Sequence, residues 1–168
     1  MCSIFGVFSE NINKYKNKID DIILSTKHRG PDFSHHTFSK KHIFAHNRLS
    51  IIDVNNRSSQ PYTSNDKNFE IVFNGEIYNY LELKKELSKF YDFKTSSDTE
   101  VLLAAYLKWG IDSLQYLNGA FAFCIYDKKN NKSFFARDRF GQKPIFFWKK
   151  DDDFLFSSEI KSFFKCGY

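Results

Sequence analysis

The segment GAFAFCIYD (119–127) constrains the fold more than any other part of the chain. It is apolar on both alternating faces, with Phe121, Phe123 and Ile125 on one face and Ala120, Ala122, Cys124 and Tyr126 on the other. A strand that is apolar on both faces is covered on both faces in a folded protein. The segment therefore predicts a central strand with another layer of structure on either side.

The other elements are shorter and follow one another without a linker or repeat. Hydrophobic periodicity and turn residues predict strands at 3–8, 35–39, 43–53, 69–75, 132–138, 144–150 and 154–158, and helices at 15–27, 78–90, 96–110 and 158–165. In the third helix, Ser97 and Glu100 have capping-box spacing and Gly110 ends the helix. A chain of 168 residues fits one domain. Antiparallel strands with helices in separate blocks predict an α+β fold with two packed sheets and helices outside.

Composition argues against several functional classes. The net charge is +5, but the lysines are dispersed along the chain, whereas a nucleic-acid binder concentrates them in a patch. No apolar run approaches the roughly 20 residues needed to span a bilayer, and the N-terminus lacks signal-peptide features. The three cysteines form no disulfide framework, which indicates a cytoplasmic protein. The histidines show no metal-ligand spacing, so we expect no metal. From the dispersed charge and the absence of a long apolar run, we also expect no nucleic acid and no membrane as partner.

Cys2 lies directly behind the initiator methionine and before the apolar strand SIFGVF. Removal of Met1 would leave a thiol and a free α-amine on one residue. That amine has a pKa of about 7.7–8.0, so it can take the thiol proton directly or through one water. If Met1 stays attached, the nitrogen is an amide without basicity and this mechanism fails. Position alone favours a chance cysteine, and the sequence does not show whether Met1 is removed.

Three other sites have both a structural and a functional interpretation. Arg48, in an apolar run, needs a carboxylate partner, which is as readily structural as a ligand. Asn74–Gly75 is a hairpin signal or an oxyanion hole, and the helical pattern after it weakens the hairpin. Asp98 lies in the first turn of a helix, where acids are favoured, or it holds an ammonium group. Together with Cys2, these residues supply what the hydrolysis of an amide on a free amino acid requires.

Eight ordered motifs then identify a family resemblance. They are CSIFGVF, HRGPD, RLSIID, NGEIYN, SSDTEV, GAFAF, RDRFGQKP and SSEIK. Over its whole length, the chain resembles the N-terminal glutaminase domain of the glutamine-dependent asparagine synthetases. That domain is a class II glutamine amidotransferase of the N-terminal nucleophile (Ntn) hydrolase fold. The resemblance implies a four-layer αββα sandwich in which two antiparallel sheets pack between helices.

The resemblance also implies a role for particular residues. Cys2 would be the nucleophile and its own amine the base, with Asn74 and Gly75 stabilising the oxyanion. Arg48 would bind the α-carboxylate of glutamine and Asp98 its α-ammonium group. Leu49, Ile52 and Glu76 would line the substrate site, mainly through their backbone. A thioester at Cys2 would be hydrolysed to glutamate, with release of ammonia. Arg137 and Asp138 would be structural.

The resemblance implies a partner as well. In the family, a synthetase domain binds ATP and magnesium and uses the ammonia to amidate aspartate. Its glycine-rich S-G-G-x-x-S loop does not occur in this sequence. We therefore expect residues 1–168 to be the glutaminase domain alone, without a cofactor, acting with a synthetase domain in cis or in trans. Phe163, Phe164 and Tyr168 are candidates for the apolar surface between the two domains. A different ammonia acceptor, a non-catalytic glutamine-binding module and a homodimer remain open.

Overall fold

Two antiparallel β-sheets form the centre of the computed structural model, which describes residues 1–168. In spatial order, the first sheet contains β2 (Phe33–Phe38), β3 (His42–Arg48), β1 (Ser3–Phe8), β9 (Asp153–Ser157) and β8 (Phe146–Lys150). The second contains β4 (Tyr62–Thr63), β5 (Phe69–Ile77), β6 (Gly119–Asp127) and β7 (Lys132–Arg137). The helices are α1 (Asn13–Lys16), α2 (Ile19–Ser25), α3 (Tyr80–Leu87), α4 (Asp98–Trp109) and α5 (Lys161–Lys165). None of them combines the length and apolarity needed to traverse a bilayer.

Three apolar clusters fill the three interfaces between four layers. One joins α2 and α5 to the outer face of the first sheet, with Ile22 and Phe163 packed near Val7. A second joins α3 and α4 to the outer face of the second sheet. The third lies between the two sheets and contains Phe44, Val72 and six further buried side chains, Ile4, Ala122, Cys124, Tyr126, Ile145 and Phe156. This arrangement is the predicted αββα sandwich.

Strand β6 has the bounds predicted from the sequence, and both of its faces are covered. Phe121, Phe123 and Ile125 pack toward the helical layer, whereas Ala122 and Cys124 pack toward the first sheet. On its two edges, β6 pairs with β5 and β7. The prediction of a central strand covered on both faces is therefore confirmed.

Other predicted bounds were wrong. The strand predicted at 43–53 ends at Arg48, and Ile51 lies exposed in the loop that follows. The reason is that this loop turns back over the Arg48 side chain, which binds its carbonyl groups. The helix predicted at 15–27 is two short helices separated at Asn17 and Lys18. The strand predicted at 69–75 continues to Ile77 because β6 pairs with it to the end.

The C-terminal aromatic residues differ from the expected exposed surface. Phe163 is buried in the cluster beneath α2. Tyr168 stacks on Trp148, with ring centroids 3.6 Å apart, and its hydroxyl group lies 2.8 Å from that of Tyr15. Only Phe164 is exposed. The expectation for Phe163 and Tyr168 was wrong because both side chains complete the core of this domain.

The layer between the sheets changes character along its length. Facing positions follow a two-residue step, with His42, Phe44, His46 and Arg48 on β3 and Glu70, Val72, Asn74 and Glu76 on β5. At one end, His42 Nε2 lies 3.2 Å from Glu70 Oε2. The middle is apolar, and the far end is polar again. The layer between the sheets therefore carries polar side chains that could act on a ligand at the end where β3 and β5 finish. We call this the open end of the sandwich.

Glu70 anchors the closed end of this layer. Burial raises the pKa of its carboxyl group, but hydrogen bonds with His42 and Thr37 outweigh burial and leave the pKa at about 2. We expect Glu70→Ala to lower the free energy of unfolding by about 2–4 kcal/mol at pH 7, since it leaves buried polar groups unpaired. Urea unfolding measures the change. The matched control is Glu10→Ala, which removes an exposed pair with Lys41 and should change stability by less than about 0.5 kcal/mol.

The pH dependence of unfolding provides a second test of the stabilising effect of Glu70. A carboxyl group whose pKa is lowered in the folded state stabilises the protein above its unfolded pKa, here 4.5. The difference between wild type and Glu70→Ala should therefore shrink as the pH falls from 4.5 toward 2. An equal difference at every pH would show that the pair contributes only packing.

Candidate active site

A cavity of about 250 Å³ lies at the open end of the sandwich. Its lining includes all the site residues predicted from the sequence, namely Cys2, Arg48, Leu49, Ile52, Asn74, Gly75, Glu76 and Asp98. They come from the start of β1, the end of β3 and its following loop, the end of β5 and the start of α4. The fold therefore brings together residues that are up to 96 positions apart in the sequence, as Cys2 and Asp98 are.

Cys2 is half-buried in this cavity, and its position is fixed on both sides. Its Sγ atom lies 3.4 Å from the backbone nitrogen of Leu49, and its carbonyl oxygen accepts a hydrogen bond of 3.0 Å from Arg29 Nε. Burial raises the pKa of the thiol, although the backbone hydrogen bond from Leu49 acts in the other direction. The thiol is therefore protonated at neutral pH and needs a base to become a nucleophile.

Met1 lies exposed at the mouth of the cavity. Its Sδ atom is 3.5 Å from Lys143 Nζ. While Met1 is attached, the nitrogen of Cys2 belongs to a peptide bond. A chain that starts at Cys2 would place a free amine at this mouth, beside the thiol.

Arg48 is buried, and its guanidinium group binds only neutral oxygens. Its side chain donates hydrogen bonds to the carbonyl groups of Asn55 (2.9 Å), Ile52 (3.3 Å) and Asp53. No carboxylate lies within ion-pair distance of it. From the sequence, the carboxylate partner of Arg48 could belong either to the protein or to a ligand. The protein supplies none. A buried, unneutralised guanidinium group favours an anionic ligand.

Asn74 and Gly75 lie inside β5, paired with Ala122 and Phe121 of β6. The hairpin interpretation is therefore wrong, because the strand continues through both residues. Asn74 is 1% exposed, yet neither polar atom of its side-chain amide has a hydrogen-bond partner. An unsatisfied buried polar group costs about 1–3 kcal/mol, so the geometry suits a ligand that supplies the partner. At Gly75, a Cβ atom would lie 2.3 Å from the carbonyl oxygen of Ala120.

Asp98 begins α4 and lies buried at the back of the cavity. Its Oδ2 atom accepts a hydrogen bond of 3.1 Å from the backbone nitrogen of Ile77. Burial raises the pKa of the carboxyl group to about 6, although this hydrogen bond acts in the opposite direction. A partly desolvated carboxylate of this kind gains from a cationic ligand.

The N-terminus of α4 differs from the predicted capping box. Ser97 caps the helix by accepting a hydrogen bond of 3.0 Å from the backbone nitrogen of Thr99. In a capping box, Glu100 would accept a hydrogen bond from the backbone nitrogen of Ser97. It accepts hydrogen bonds from the backbone nitrogens of Lys94 and Thr95 instead. The buried Glu100 thereby holds the loop that leads into Asp98.

The motif HRGPD supports the nucleophile and the loop after Arg48. Besides holding the Cys2 carbonyl group, Arg29 pairs with Glu159 at 3.2 Å. Asp32 accepts a hydrogen bond of 2.7 Å from the backbone nitrogen of Ser50. A Cβ atom at Gly30 would lie 2.3 Å from backbone atoms of Asn47. The glycine is therefore required for the close approach of this motif to β3.

The motif RDRFGQKP forms a loop that its own side chains hold in place. Asp138 accepts hydrogen bonds from four backbone nitrogens, those of Phe121, Phe140, Gln142 and Lys143. Arg137 donates to the carbonyl groups of Gly141 and Lys143. These contacts agree with the structural role predicted for Arg137 and Asp138. They also bring Lys143 to the mouth of the cavity.

Several lining residues were not predicted from the sequence. They are His46, Ser58, Gln60, Phe73, Ser97, Thr99 and Lys143, together with Met1. His46 had a detectable signal, because it is two residues before Arg48 on a strand and so lies on the same face. Ser58 and Gln60 belong to a polar loop without periodicity, which gave no signal. No group of His, Cys, Asp and Glu side chains is arranged to hold a metal ion.

Comparison with known proteins gives a consistent result. A family model described as a glutamine amidotransferase domain matches residues 1–167. Asparagine synthetase [glutamine-hydrolyzing] 3 of Bacillus subtilis is 40% identical over 96% of this chain and 27% of its own length. Asparagine synthetase [glutamine-hydrolyzing] 1 of the same organism is 43% identical, covering 96% and 26%. Asparagine synthetase B [glutamine-hydrolyzing] of Escherichia coli is 39% identical, covering 96% and 30%.

Solved structures support the fold. Glutamine phosphoribosylpyrophosphate amidotransferase from Bacillus subtilis superposes with a TM-score of 0.79 at 23% identity, covering 99% of this chain and 44% of its own. An allosteric regulatory enzyme of purine biosynthesis superposes with a TM-score of 0.81 at 23% identity, covering 99% and 43%. The fold is thus that of the Ntn-hydrolase amidotransferases.

The chain belongs to the glutamine amidotransferase family, since the family model spans nearly its whole length. Its similarity to the asparagine synthetases is confined to their glutamine-hydrolysing part. The chain spans about a quarter to a third of the length of these curated relatives.

The raised pKa of Asp98 predicts that its ionised carboxylate destabilises the folded protein at neutral pH. A carboxyl group with a raised folded-state pKa stabilises the fold fully only below its unfolded pKa of 3.8, and this contribution is lost as the pH rises through 6. We therefore expect Asp98→Asn to raise the free energy of unfolding by about 1–3 kcal/mol above pH 6. Urea unfolding at pH 4 and pH 7.5 checks this. A variant that is equally destabilised at both pH values would contradict it.

Proposed function

We propose that this domain hydrolyses L-glutamine to glutamate and ammonia through a thioester at Cys2. The observation that carries the proposal is the composition of one cavity. It holds a thiol, an unneutralised guanidinium group, an unpartnered amide and a buried carboxylate. Each is complementary to a different part of glutamine, and membership of the amidotransferase family supports the same substrate.

Substrate binding follows from charge. Arg48 binds the α-carboxylate, because no protein carboxylate neutralises it, and Asp98 binds the α-ammonium group. The backbone around Leu49, Ile52 and Glu76 lines the substrate between these two anchors. Glutamine is therefore held at its amino-acid end, with its side chain directed toward Cys2.

The reaction then needs only groups already in the cavity. With Met1 removed, the Cys2 amine takes the thiol proton, and Sγ attacks the carboxamide carbon. The oxyanion is stabilised by the side-chain amide of Asn74 and the backbone N–H of Gly75. The protonated amine returns its proton to the leaving nitrogen, ammonia departs and a thioester remains. Water, deprotonated by the same amine, attacks the thioester, releasing glutamate and restoring the thiol.

The use of the ammonia is inferred from the relatives. Three asparagine synthetases are 39–43% identical to nearly the whole chain, which supports aspartate as the final acceptor. The fold alone does not select the acceptor, because a phosphoribosylpyrophosphate amidotransferase shares it. We propose that a synthetase domain, in cis or in trans, binds ATP and magnesium and makes asparagine in the cytoplasm. The glutaminase domain itself would use no cofactor.

The proposal predicts processing and activity together. Intact mass spectrometry should show loss of Met1, and the processed protein should release glutamate from glutamine. Cys2→Ala should abolish this release, because it removes the nucleophile while leaving the amine. Cys2→Ser, a smaller change, should retain only a trace of activity, since a hydroxyl is a weaker nucleophile.

Two controls separate loss of chemistry from loss of structure. Cys166→Ala changes a buried cysteine that does not line the cavity and should leave glutamate release intact. Cys2→Ala should still bind glutamine in isothermal titration calorimetry. Release of glutamate by Cys2→Ala would refute the proposed nucleophile.

A further inference from the structure

Three buried side chains that line the cavity lack hydrogen-bond partners, namely Asn74, His46 and Ser58, and only Asn74 has a role so far. Asn74 is unpartnered at both polar atoms, and His46 is unpartnered at Nε2. His46 is 2% exposed and lines the same cavity. A buried imidazole nitrogen that faces a ligand site without a partner calls for a functional explanation.

The alternation of side chains along β3 and β5 places His46 and Asn74 on the facing sides of the two sheets. On the facing sides of β3 and β5, His42 contacts Glu70 at the closed end, and Phe44 and Val72 share the apolar cluster next to it. The next two-residue step on each strand reaches His46 and Asn74. His46, Phe73 and Asn74 all line the same cavity, which places the His46 ring near Asn74 independently of this two-residue step.

The surroundings of His46 fix its protonation state. Burial, together with the positive charge of Arg48, lowers the pKa of its imidazole to about 3, although the nearby backbone of Phe73 acts in the opposite direction. The ring is thus neutral at pH 7. A neutral imidazole carries one donor nitrogen and one acceptor nitrogen, and the unpartnered Nε2 is available as the acceptor.

We propose that His46 is a positioning residue that orients the side-chain amide of Asn74 in the oxyanion hole. When glutamine occupies the cavity, His46 Nε2 accepts one hydrogen of the Asn74 amide nitrogen. The second hydrogen of that nitrogen then points to the oxyanion. This inference deepens the proposed glutamine hydrolysis and rests on it.

The orientation matters because an amide has two unlike ends. Turned around, the Asn74 side chain would present its oxygen to the developing negative charge and raise the barrier. An acceptor at Nε2 selects the correct orientation, because it pairs with NH₂ and not with oxygen. Since an oxyanion forms only during the reaction, this selection affects turnover more than substrate binding.

Steady-state kinetics with a double-mutant cycle tests the proposal. His46→Leu should lower kcat roughly 10- to 100-fold, with KM for glutamine changed by less than about threefold. His46→Gln should recover part of the loss, because its side-chain oxygen can accept the same hydrogen. In an Asn74→Ala background, His46→Leu should change kcat by less than about twofold, since its effect passes through Asn74. His35→Leu, at the exposed position paired with His46 on β2, is the matched control and should match wild type.

Two kinetic results would overturn the proposal. One is an equal loss from His46→Leu with and without Asn74, which shows a structural or independent role. The other is a loss confined to KM, which assigns His46 to substrate binding.

Imidazole nitrogen-15 spectra test the proposal without activity. Protein labelled with nitrogen-15 at histidine should show His46 protonated at Nδ1. Glutamine added to Cys2→Ala should shift the Nε2 resonance of His46. The same addition to Cys2→Ala/Asn74→Ala should leave that resonance unchanged. Protonation at Nε2 in the free protein would overturn the proposal even if no glutaminase activity is found. Absence of glutamine binding together with the expected tautomer would instead refute the proposed function, and with it the role of His46.

Discussion

The apolar contact between the two sheets sets the distance between two walls of the cavity. Phe44 and Phe156 from the first sheet pack against Val72 and Ala122 from the second. This layer fixes the separation of β3 from β5, and so the distance from the Cys2 side of the cavity to the Asn74 side. Because interiors are close-packed, a change of one methylene group in this layer would shift one wall of the cavity against the other.

The cavity concentrates groups that the fold alone does not satisfy. Arg48 lacks an anion, Asp98 carries a raised pKa, and Asn74 and His46 lack hydrogen-bond partners. At the opposite end of the same layer, Glu70 has His42, Thr37 and Lys128 as partners. This difference marks the open end as the ligand site, because several unpaired buried groups line one cavity there and each calls for an explanation.

The core elements were the most predictable part of the structure. Both faces of GAFAFCIYD are apolar, so β6 and its covering layers followed from the sequence, and Gly110 ended α4 as predicted. The loop from Leu49 to Asn55 was not predictable from apolar periodicity, because its course is set by hydrogen bonds to the Arg48 guanidinium group. Ile51 therefore reads as a strand residue but lies exposed.

The site was predictable only in part from its residues. Each of Arg48, Asn74 and Asp98 also had a structural interpretation. Together with Cys2 they matched the requirements of amide hydrolysis, and their individual roles came from the resemblance to a family. The structure supplies what spacing could not, namely that Asn74–Gly75 lies within a strand and that Arg48 has no carboxylate partner. The position of His46 on the same strand face as Arg48 was detectable, but a lone histidine on a buried strand has no assignable role until its neighbour across the sheets is known.

The central claim is that the thiol and the base reside on one residue, Cys2. Acid-quenched mass spectrometry during glutamine turnover tests it most directly, with chains that have lost Met1 compared against chains that retain it. We predict a γ-glutamyl thioester on the N-terminal peptide of the processed chain and none on the unprocessed chain. A thioester on Cys124 or Cys166, or turnover by the chain that retains Met1, would contradict this account.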